Sequence, residues 1–469
     1  MKHTIRFFLV VAAVTIVLLS CELFQLQPAA RENPKDPGTR ERSWSEPVMV
    51  STNSTGYAYD PQVASDGAGN AVAVWQVEDD AYERIWTSTY TADNGWSTAQ
   101  QLDNPSWDYA YYPNIACIGS GSFIAVWEQD TGTSTGIYSR TWNATGGWGE
   151  IVLVSTDANF AGEPHIDFNV SGNGFAVWEH YDDTNADYDI HGCRYISGSG
   201  WSTPSPVSDE ETDVDTYNPR IACNSAGNAA VVWEEYNGDR YSVYGSLWTP
   251  EEDWWWPHDL DSGWTSRTQR SPETALDDSG YGLGLFYEYN PNTAKWNLYA
   301  LPCNTLTGWS DTADLLTAEE GESEEYLPLS ILFDSNGTAI AAWSQMKDYD
   351  TSYNLYSNTY THTLGWGDEE CIEVEMSGHS ALPIIDFDGE GNCLAVWYQI
   401  TPSALSFWSN LYLPGSGWGS PEMVGQSPEV VLEISENSPG LSVDAAGDAF
   451  AAWLEYENEH TFIMAAVYQ

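Results

Sequence analysis

The sequence predicts an all-β fold, a single β-propeller of eight four-stranded blades, and three observations carry this prediction. A segment that begins Pro-x-apolar, turns at Asp or Asn followed by Gly, and ends in Ala-Val-Trp recurs eight times, first as Pro61 to Trp75. The chain of 469 residues is 14% aromatic, with 24 Trp and 39 Gly, which is typical of short strands joined by tight turns. A piece of the same repeat also stands alone near the N terminus, at Ser43 to Ser51.

The repeat keeps a steady register of 51 to 56 residues between successive prolines. A unit of this length has room for four strands, which is one blade. An aromatic residue closes the second strand of every unit, and its recurrence at one position predicts packing between blades. Units start near residues 59, 111, 162, 217, 270, 326, 381 and 437, with prolines at Pro61, Pro113, Pro164, Pro219, Pro272, Pro328, Pro383 and Pro439, and aromatics at Trp75, Trp127, Trp178, Trp233, Phe286, Trp343, Trp397 and Trp453.

A Gly-Trp pair that opens a further strand follows seven of the eight prolines, with its tryptophan at Trp96, Trp148, Trp201, Trp264, Trp309, Trp366 and Trp418. The eighth unit ends at Gln469 before any such pair, whereas SWSEPVMVS at Ser43 to Ser51 closely matches GWSTPSPVS at Gly200 to Ser208. We therefore expect residues 43–469 to form one ring in which the N-terminal piece completes the last blade and protects its edge.

Residues 1–21 are predicted to be a targeting segment and are therefore excluded from the fold prediction. Lys2 and Arg6 precede an apolar run, and the run ends at Leu18-Leu19-Ser20-Cys21. This segment resembles a bacterial lipoprotein signal, which implies cleavage before Cys21, a diacylglycerol on its sulfur and a place on the bacterial cell envelope. The alternatives are an ordinary secretory signal or an uncleaved anchor helix. Residues 22–42 are rich in proline and charge, as expected of a flexible tether.

The repeats resemble those of bacterial surface propellers of the Kelch and sialidase-like kind over residues 43–469. The resemblance is one of architecture. The sialidase Asp-box is approached by Ser65-Asp66, Gly69 and Trp75, but its spacing and its place in the blade differ. We carry over no catalytic residues, because the arginine set of that family has no recognisable counterpart here.

The net charge of −54 excludes nucleic acid and anionic lipid surfaces as partners, apart from the membrane reached through the anchor. A saline habitat would also explain this excess, because salt screens self-repulsion. The repeated turn residues Asp66, Asn169, Asn224, Asp277, Asp334, Asp388 and Asp444 are predicted to cap tight hairpins rather than to bind metal. We expect a monomer.

Acidic loops interleaved with tyrosines are predicted to share one face of the propeller. Tyr109, Tyr111 and Tyr112 are candidate ligand-binding residues there, and Tyr188 and Tyr217 belong to the same set. The segment DDTNADYD is the best candidate for Ca²⁺, through Asp182, Asp183, Asp187 and Asp189, although it lacks the Gly and terminal Glu of a calcium loop. The alternative for each cluster is a solvated acidic surface.

Trp254, Trp255 and Trp256 are a further candidate, in a charged loop of the fourth unit that reads as an insertion before Trp264. Three successive tryptophans cannot all point inward from one strand, so at least one is expected to be exposed for a sugar ring or an apolar partner. The alternative is a loop that folds down on its own tryptophans.

Two functions remain open. The first, which we favour, is a non-catalytic surface module that binds glycan or protein. The second is an exported carbohydrate-active enzyme with acids at the mouth of the central channel. A buried pair of carboxylates there, with at least one raised pKa, would favour the enzyme. No catalytic residue is predicted.

Overall fold

The computed structural model describes residues 42–51, 56–78, 82–119, 121–156, 160–183, 186–209, 214–260, 267–317, 321–322, 328–347, 352–373, 378–427, 429, 438–458 and 460–469. Within these ranges the regular structure is β-strand, which confirms the predicted all-β class. A search of the same residues finds no helix suited to crossing a membrane. Cys21 and the signal segment 1–21 lie outside the described residues, as does the tether except for its last residue.

The strands form eight sheets, numbered here as blades 1 to 8 in chain order. A short strand, β1 (Val48–Met49), precedes blade 1. Blades 1 and 2 comprise β2 (Tyr57–Ser65), β3 (Asn70–Glu78), β4 (Glu83–Thr91), β5 (Gly95–Trp96) and β6 (Gln100–Gln101), then β7 (Ala110–Cys117), β8 (Ser122–Asp130), β9 (Thr135–Asn143), β10 (Gly147–Trp148) and β11 (Val152–Leu153). Blades 3 and 4 comprise β12 (Ala161–Phe168), β13 (Gly174–Asp182), β14 (Asp187–Ile196), β15 (Gly200–Trp201) and β16 (Ser205–Pro206), then β17 (Asp215–Cys223), β18 (Ala229–Tyr236), β19 (Tyr241–Thr249), β20 (Asp253–Trp254) and β21 (His258–Asp259).

Blades 5 and 6 comprise β22 (Gln269–Leu276), β23 (Tyr281–Asn290), β24 (Lys295–Asn304), β25 (Gly308–Trp309) and β26 (Asp314–Leu315), then β27 (Gly321–Glu322), β28 (Ser330–Phe333), β29 (Thr338–Lys347), β30 (Asn354–Thr361), β31 (Gly365–Trp366) and β32 (Glu370–Cys371). Blades 7 and 8 comprise β33 (His379–Phe387), β34 (Cys393–Thr401), β35 (Ala404–Leu413), β36 (Gly417–Trp418) and β37 (Glu422–Gln426), then β38 (Gly440–Val443), β39 (Ala449–Glu457) and β40 (His460–Tyr468).

Each blade is an antiparallel meander of three strands with an outer fourth strand, which is in two pieces in blades 1 to 7 and is β1 in blade 8. The first strand of blade 6 is divided into β27 and β28. The first strands contact one another in a closed cycle that runs from blade 1 to blade 8 and back, so they line the central channel. The second strands end, and the third strands begin, at one end of this channel. The hairpins to the outer strands lie at the other end.

The N-terminal segment closes the ring, as predicted. Strand β1 pairs with β40, with Val48 opposite Ala465. Trp44 bridges to Tyr468, and the Ser43 N–H donates to the Gln469 carbonyl at 3.1 Å. This segment supplies the outer strand that blade 8 otherwise lacks.

The aromatic residue of each second strand is buried between blades, as expected. The seven tryptophans and Phe286 are at most 1% exposed. Trp75 packs against Phe450 and Ala452 of blade 8, and the ring contacts thus extend across the closure. Burial of such large rings at every interface is the main apolar contribution that holds the blades together.

The outer tryptophans reach back to the third strand of the preceding blade. Their indole N–H groups donate to a serine hydroxyl in three cases: Trp44 to Ser409 at 2.8 Å, Trp201 to Ser139 at 2.9 Å and Trp418 to Ser357 at 2.7 Å. Where the blade carries alanine at that position, at Ala465 facing Trp96 and at Ala300 facing Trp366, the buried indole nitrogen has no hydrogen-bond partner.

The fourth blade corrects one prediction. Its outer tryptophan is Trp254 and not Trp264, because β20 pairs with β19 in the register that the Gly-Trp pairs use elsewhere. Asp253 takes the place of the glycine with φ of 62°. The extra residues therefore follow Trp254 instead of preceding the outer strand, and Trp264 lies outside the described residues.

The turns between first and second strands are capped by their Asp or Asn side chains, as predicted. Asp66 Oδ1 accepts the N–H groups of Ala68 at 2.8 Å and Asn70 at 3.0 Å. Asn169 makes the same pair of contacts and Asn224 makes the second of them, so neither a charge nor a metal is needed for this role.

Candidate functional site

The first strands carry a bulge where they enter the channel. The residue before the proline has positive φ in six blades, at Asp60, Tyr112, Glu163, Asn218, Ser271 and Leu382, with φ between 50° and 58°. The pairing between the first and second strands shifts register at all six of these positions. Left-handed backbone is costly for side chains such as Tyr and Glu, and such outliers are concentrated at functional sites.

The bulge turns a backbone N–H sideways, toward the preceding blade. The acceptor is the side chain directly after the second-strand aromatic residue. Four such contacts occur: Tyr112 N–H to Gln76 Oε1 at 3.2 Å, Glu163 N–H to Glu128 Oε2 at 3.3 Å, Asn218 N–H to Glu179 Oε1 at 2.9 Å and Ser271 N–H to Glu234 Oε1 at 2.7 Å. We call this set of residues the channel mouth. It comprises the bulge residues Asp60, Tyr112, Glu163, Asn218 and Ser271 and the acceptors Gln76, Glu128, Glu179 and Glu234.

The mouth is rich in carboxylates, and three of them, Glu128, Glu179 and Glu234, are deeply buried. Glu128 and Glu179 are each 6% exposed. Burial raises the pKa of Glu179 well above its usual value, and the charges of Glu163, Glu128 and Glu234 raise it further. Both effects favour the neutral carboxylic acid form of Glu179 over its charged form.

Tyrosine rings surround these carboxylates, and they include the three predicted binding residues. Tyr109 stacks on Tyr111 at 6.1 Å, and Tyr111 meets Tyr112 at the same centroid distance. Tyr109 and Tyr112 are 38% and 45% exposed. Burial raises the pKa values of Tyr111 and Tyr112, and a hydrogen bond with Glu83 raises that of Tyr111 further. Both phenols therefore stay protonated and present a hydroxyl and a ring face to a ligand.

The predicted tryptophan cluster is not part of the mouth. Trp254 packs against Phe175 at 6.0 Å, and Trp255 is half-buried beside Leu247 and Cys303. Trp256 is 82% exposed, which confirms that at least one of the three is accessible. All three lie on the outer edge of blade 4, so the structure does not bring them together with Tyr109, Tyr111 and Tyr112.

The four aspartates of the predicted calcium site lie at the turn between β13 and β14. Asp182 pairs with Asp187 across the turn, and Asp187 and Asp189 are buried at 6% and 1% exposure. Asp189 accepts a hydrogen bond from Ser208 Oγ at 3.2 Å. Within the described residues no three Asp, Glu, His or Cys side chains are grouped to hold a metal ion, and the Ca²⁺ site stays a prediction.

A second pair of acids lies deeper in the channel. Asp167 and Asp386 occupy the same inner-strand position in blades 3 and 7, on opposite sides of the ring. Asp167 Oδ2 accepts the Cys223 N–H, and Asp386 Oδ2 accepts the Val443 N–H, each at 2.7 Å. Burial raises the pKa of Asp167 to about 6 and that of Asp386 to about 7, and the Asp167 charge adds to the second shift.

Sequence reasoning missed the buried acids of the mouth and the channel. Signals for both were present: Glu follows the second-strand tryptophan in three consecutive blades, and Asp-Phe ends the inner strand in two. Charged side chains are rarely buried unless they are paired, so an acid at a repeat position that is apolar or neutral in other blades indicates a candidate functional residue. The six cysteines after Cys21 are all free.

No family model matches the chain, and no curated protein does. Solved structures that resemble it include a protein of unknown function from Dyadobacter fermentans, at 11% identity and TM-score 0.42, over 69% of this chain and 99% of that one. Another is an α-L-arabinanase from Penicillium chrysogenum, at 13% identity and TM-score 0.42, over 65% and 92%. A third is the NanB sialidase of Streptococcus pneumoniae, at 8% identity and TM-score 0.40, over 88% and 94%. At such identities and scores we transfer no activity, and the Kelch resemblance stays a prediction.

Proposed function

We propose that this propeller is a non-catalytic surface module that binds a glycan or protein ligand at its channel mouth. The observation that carries the proposal is the run of adjoining tyrosine rings Tyr109, Tyr111 and Tyr112, half-exposed, beside the carboxylates of blades 1 to 4. Ring faces stack on sugar C–H groups or apolar side chains, while carboxylates and phenols hydrogen-bond hydroxyl or amide groups.

The ring closure supports a surface role. Ser43 pairs with Gln469 at the end of the third strand of blade 8, and that strand begins at the end of the channel where the mouth lies. The tether to Cys21 therefore leaves from the opposite end of the propeller. If Cys21 carries the proposed lipid, the tether joins the propeller at the end opposite the mouth and leaves the mouth accessible.

A second candidate function is hydrolysis of a glycosidic bond, and one observation favours it. Glu179 is a buried acid with a raised pKa, close to Glu163 and Glu128. Such a pairing fits a general acid that protonates the leaving oxygen and a carboxylate that receives the proton of an attacking water.

The test is a glycan array and a peptide array on the full-length chain in detergent, scored for both retention and released sugar. Retention without release, lost in Tyr109→Ala and kept in Trp256→Ala, is expected. Trp256 is the matched control because it is an exposed aromatic residue far from the mouth. Sugar release that disappears in Glu179→Gln would instead establish the enzyme, and no retention on either array would refute both.

A further inference from the structure

The acceptor position after the second-strand aromatic residue does not need a charge for its structural role. In blade 1 it is Gln76, whose neutral amide oxygen accepts the Tyr112 N–H at 3.2 Å. Glu128, Glu179 and Glu234 make the same contact with a carboxylate. The negative charge in blades 2 to 4 therefore exceeds what the bulge requires.

In blade 4 the extra charge is neutralised from within the protein. Glu234 Oε2 lies 3.0 Å from Arg270 Nε, and the Arg270 guanidinium lies 3.9 Å above the ring of Tyr241. Glu234 is 1% exposed and Arg270 is 12% exposed at the side chain. A carboxylate below a tyrosine ring thus holds a buried guanidinium, through an ion pair and a cation–π contact.

Blade 3 repeats this geometry without the cation. Tyr188 occupies the position of Tyr241, three residues before the partner of the second-strand tryptophan. The residue before the bulge, which is Arg270 in blade 5, is Tyr217 in blade 4. We call Glu179, Tyr188 and Tyr217 the blade 3 notch. Its two rings are 5.7 Å apart, and both tyrosines feel the charge of Glu179.

Glu179 has capacity left for a ligand. Its only hydrogen bond within the described structure is the one from the Asn218 N–H, made by Oε1 at 2.9 Å. It forms no ion pair there, although its side chain is more than nine-tenths buried. A buried carboxylate with an uncommitted oxygen is costly unless a donor or cation reaches it.

We propose that the blade 3 notch binds an arginine side chain presented by a basic segment of a partner protein. The guanidinium would pair with Glu179 and lie against the exposed side of the Tyr188 and Tyr217 ring pair, as Arg270 pairs with Glu234 and lies over Tyr241. The net charge of −54 attracts such a segment from a distance. This inference rests on the proposed binding role of the mouth and names the class of ligand.

The proposal implies a pH dependence with a defined sign. Glu179 is faced by Glu163 of its own blade, Glu128 of blade 2, Glu234 of blade 4 and the phenols of Tyr112, Tyr188 and Tyr217. The carboxyl must lose its proton to pair with a guanidinium, and its pKa is raised in the free protein. Affinity therefore rises with pH across the range in which Glu179 ionises, with release of a proton on binding.

The experiment is calorimetry on the full-length chain with a short arginine peptide, blocked at both ends, and with its citrulline analogue, which is neutral and nearly the same shape. We expect the citrulline peptide to bind at least about tenfold more weakly, since hydrogen bonds to charged groups contribute about 1.5–3 kcal/mol. Glu179→Gln should weaken binding of the arginine peptide by a similar factor, because it removes the negative charge. The variant should stay folded, because glutamine can accept the bulge N–H as Gln76 does. Glu252→Gln, which removes an exposed charge on the outer edge of blade 4, is the matched control and should bind normally.

A second variant tests the notch without removing the acid. Tyr217→Arg copies Arg270 and should fill the notch from within, which would abolish peptide binding while the protein stays folded. Equal affinity for the citrulline peptide, or full affinity in Tyr217→Arg, would overturn the inference. A glycan retained at the mouth without any arginine binding would overturn it too, while leaving the proposed binding role intact.

Discussion

Ser51 Oγ accepts a hydrogen bond from the Ile463 N–H at 3.0 Å, across 412 residues of sequence. Within blade 2, Ser155 Oγ accepts the Ile137 N–H at the same distance, and within blade 3 Ser208 does so for Ile190 at 2.9 Å. The N-terminal segment therefore reproduces, on blade 8, a contact that other blades make with their own chain.

Ser51→Ala should lower the free energy of unfolding by about 1–3 kcal/mol, because it leaves the buried Ile463 N–H without an acceptor. Ser51 is 2% exposed. Ser155→Ala is the matched control, and denaturant titration should show a similar loss of unfolding free energy in the two variants. A neutral Ser51→Ala beside a destabilised Ser155→Ala would mean that the closing segment is not engaged in solution.

Ala465→Ser should raise the free energy of unfolding by about 0.5–1.5 kcal/mol. A serine there can accept the indole N–H of Trp96, as Ser357 does for Trp418. The reverse change, Ser357→Ala, should cost a similar amount in the same thermal or denaturant measurement. Loss of stability in Ala465→Ser would show that the packing around Trp96 has no room for the hydroxyl.

Asp386→Asn should flatten the dependence of stability on pH. Because the pKa of Asp386 is raised from 3.8 to about 7 in the folded protein, its contribution is complete below about pH 4 and is lost as pH rises to about 7. The loss is on the order of 4 kcal/mol at most. Urea titrations at several pH values should show a steeper decline in the wild type than in Asp386→Asn.

The control for that experiment is Asp66→Asn, which removes one charge from a turn of the kind that asparagine caps in blades 3 and 4. This variant should keep the wild-type slope. If both variants flatten the profile alike, the decline comes from general repulsion among acids rather than from the channel pair.

Trp254→Ala should destabilise the protein by about 2–3 kcal/mol, since its ring packs against Phe175 between blades. Trp256→Ala should stay within about 0.5 kcal/mol of the wild type, because its ring is in solvent. Melting curves of the two variants separate the roles of these near neighbours. Equal effects would contradict the register assigned to the outer strand of blade 4.

The proline and tryptophan spacing was enough to predict the blade count and the closure, because each blade repeats the same packing. The Gly-Trp pattern did not identify Trp254, because the residue before this tryptophan is Asp253 and not glycine. That turn needs a residue with positive φ, and Asp253 adopts it at 62°. The distance of 35 residues from Pro219 to Trp254, equal to that from Pro61 to Trp96, was the better guide.

The candidate site was predicted only in part. Tyr109, Tyr111 and Tyr112 were found because they lie together in sequence, and Tyr188 and Tyr217 were placed in the same set. Glu179 was missed, because it meets Tyr188 and Tyr217 only where two blades adjoin in the folded ring. The role of Glu179 depends on the Asn218 N–H of the next blade, a contact that single-sequence patterns do not contain.

The use of the first-made segment to finish the last blade sets an order on biosynthesis. Residues 43–51 leave the ribosome before the blades do, but their partner strand at His460–Tyr468 is synthesised only after blades 1 to 7. At a rate of about 5–20 residues per second, the segment waits for roughly 20–80 s. Until β40 is made the ring cannot close, so the growing chain keeps an uncovered blade side that is open to aggregation and chaperone capture.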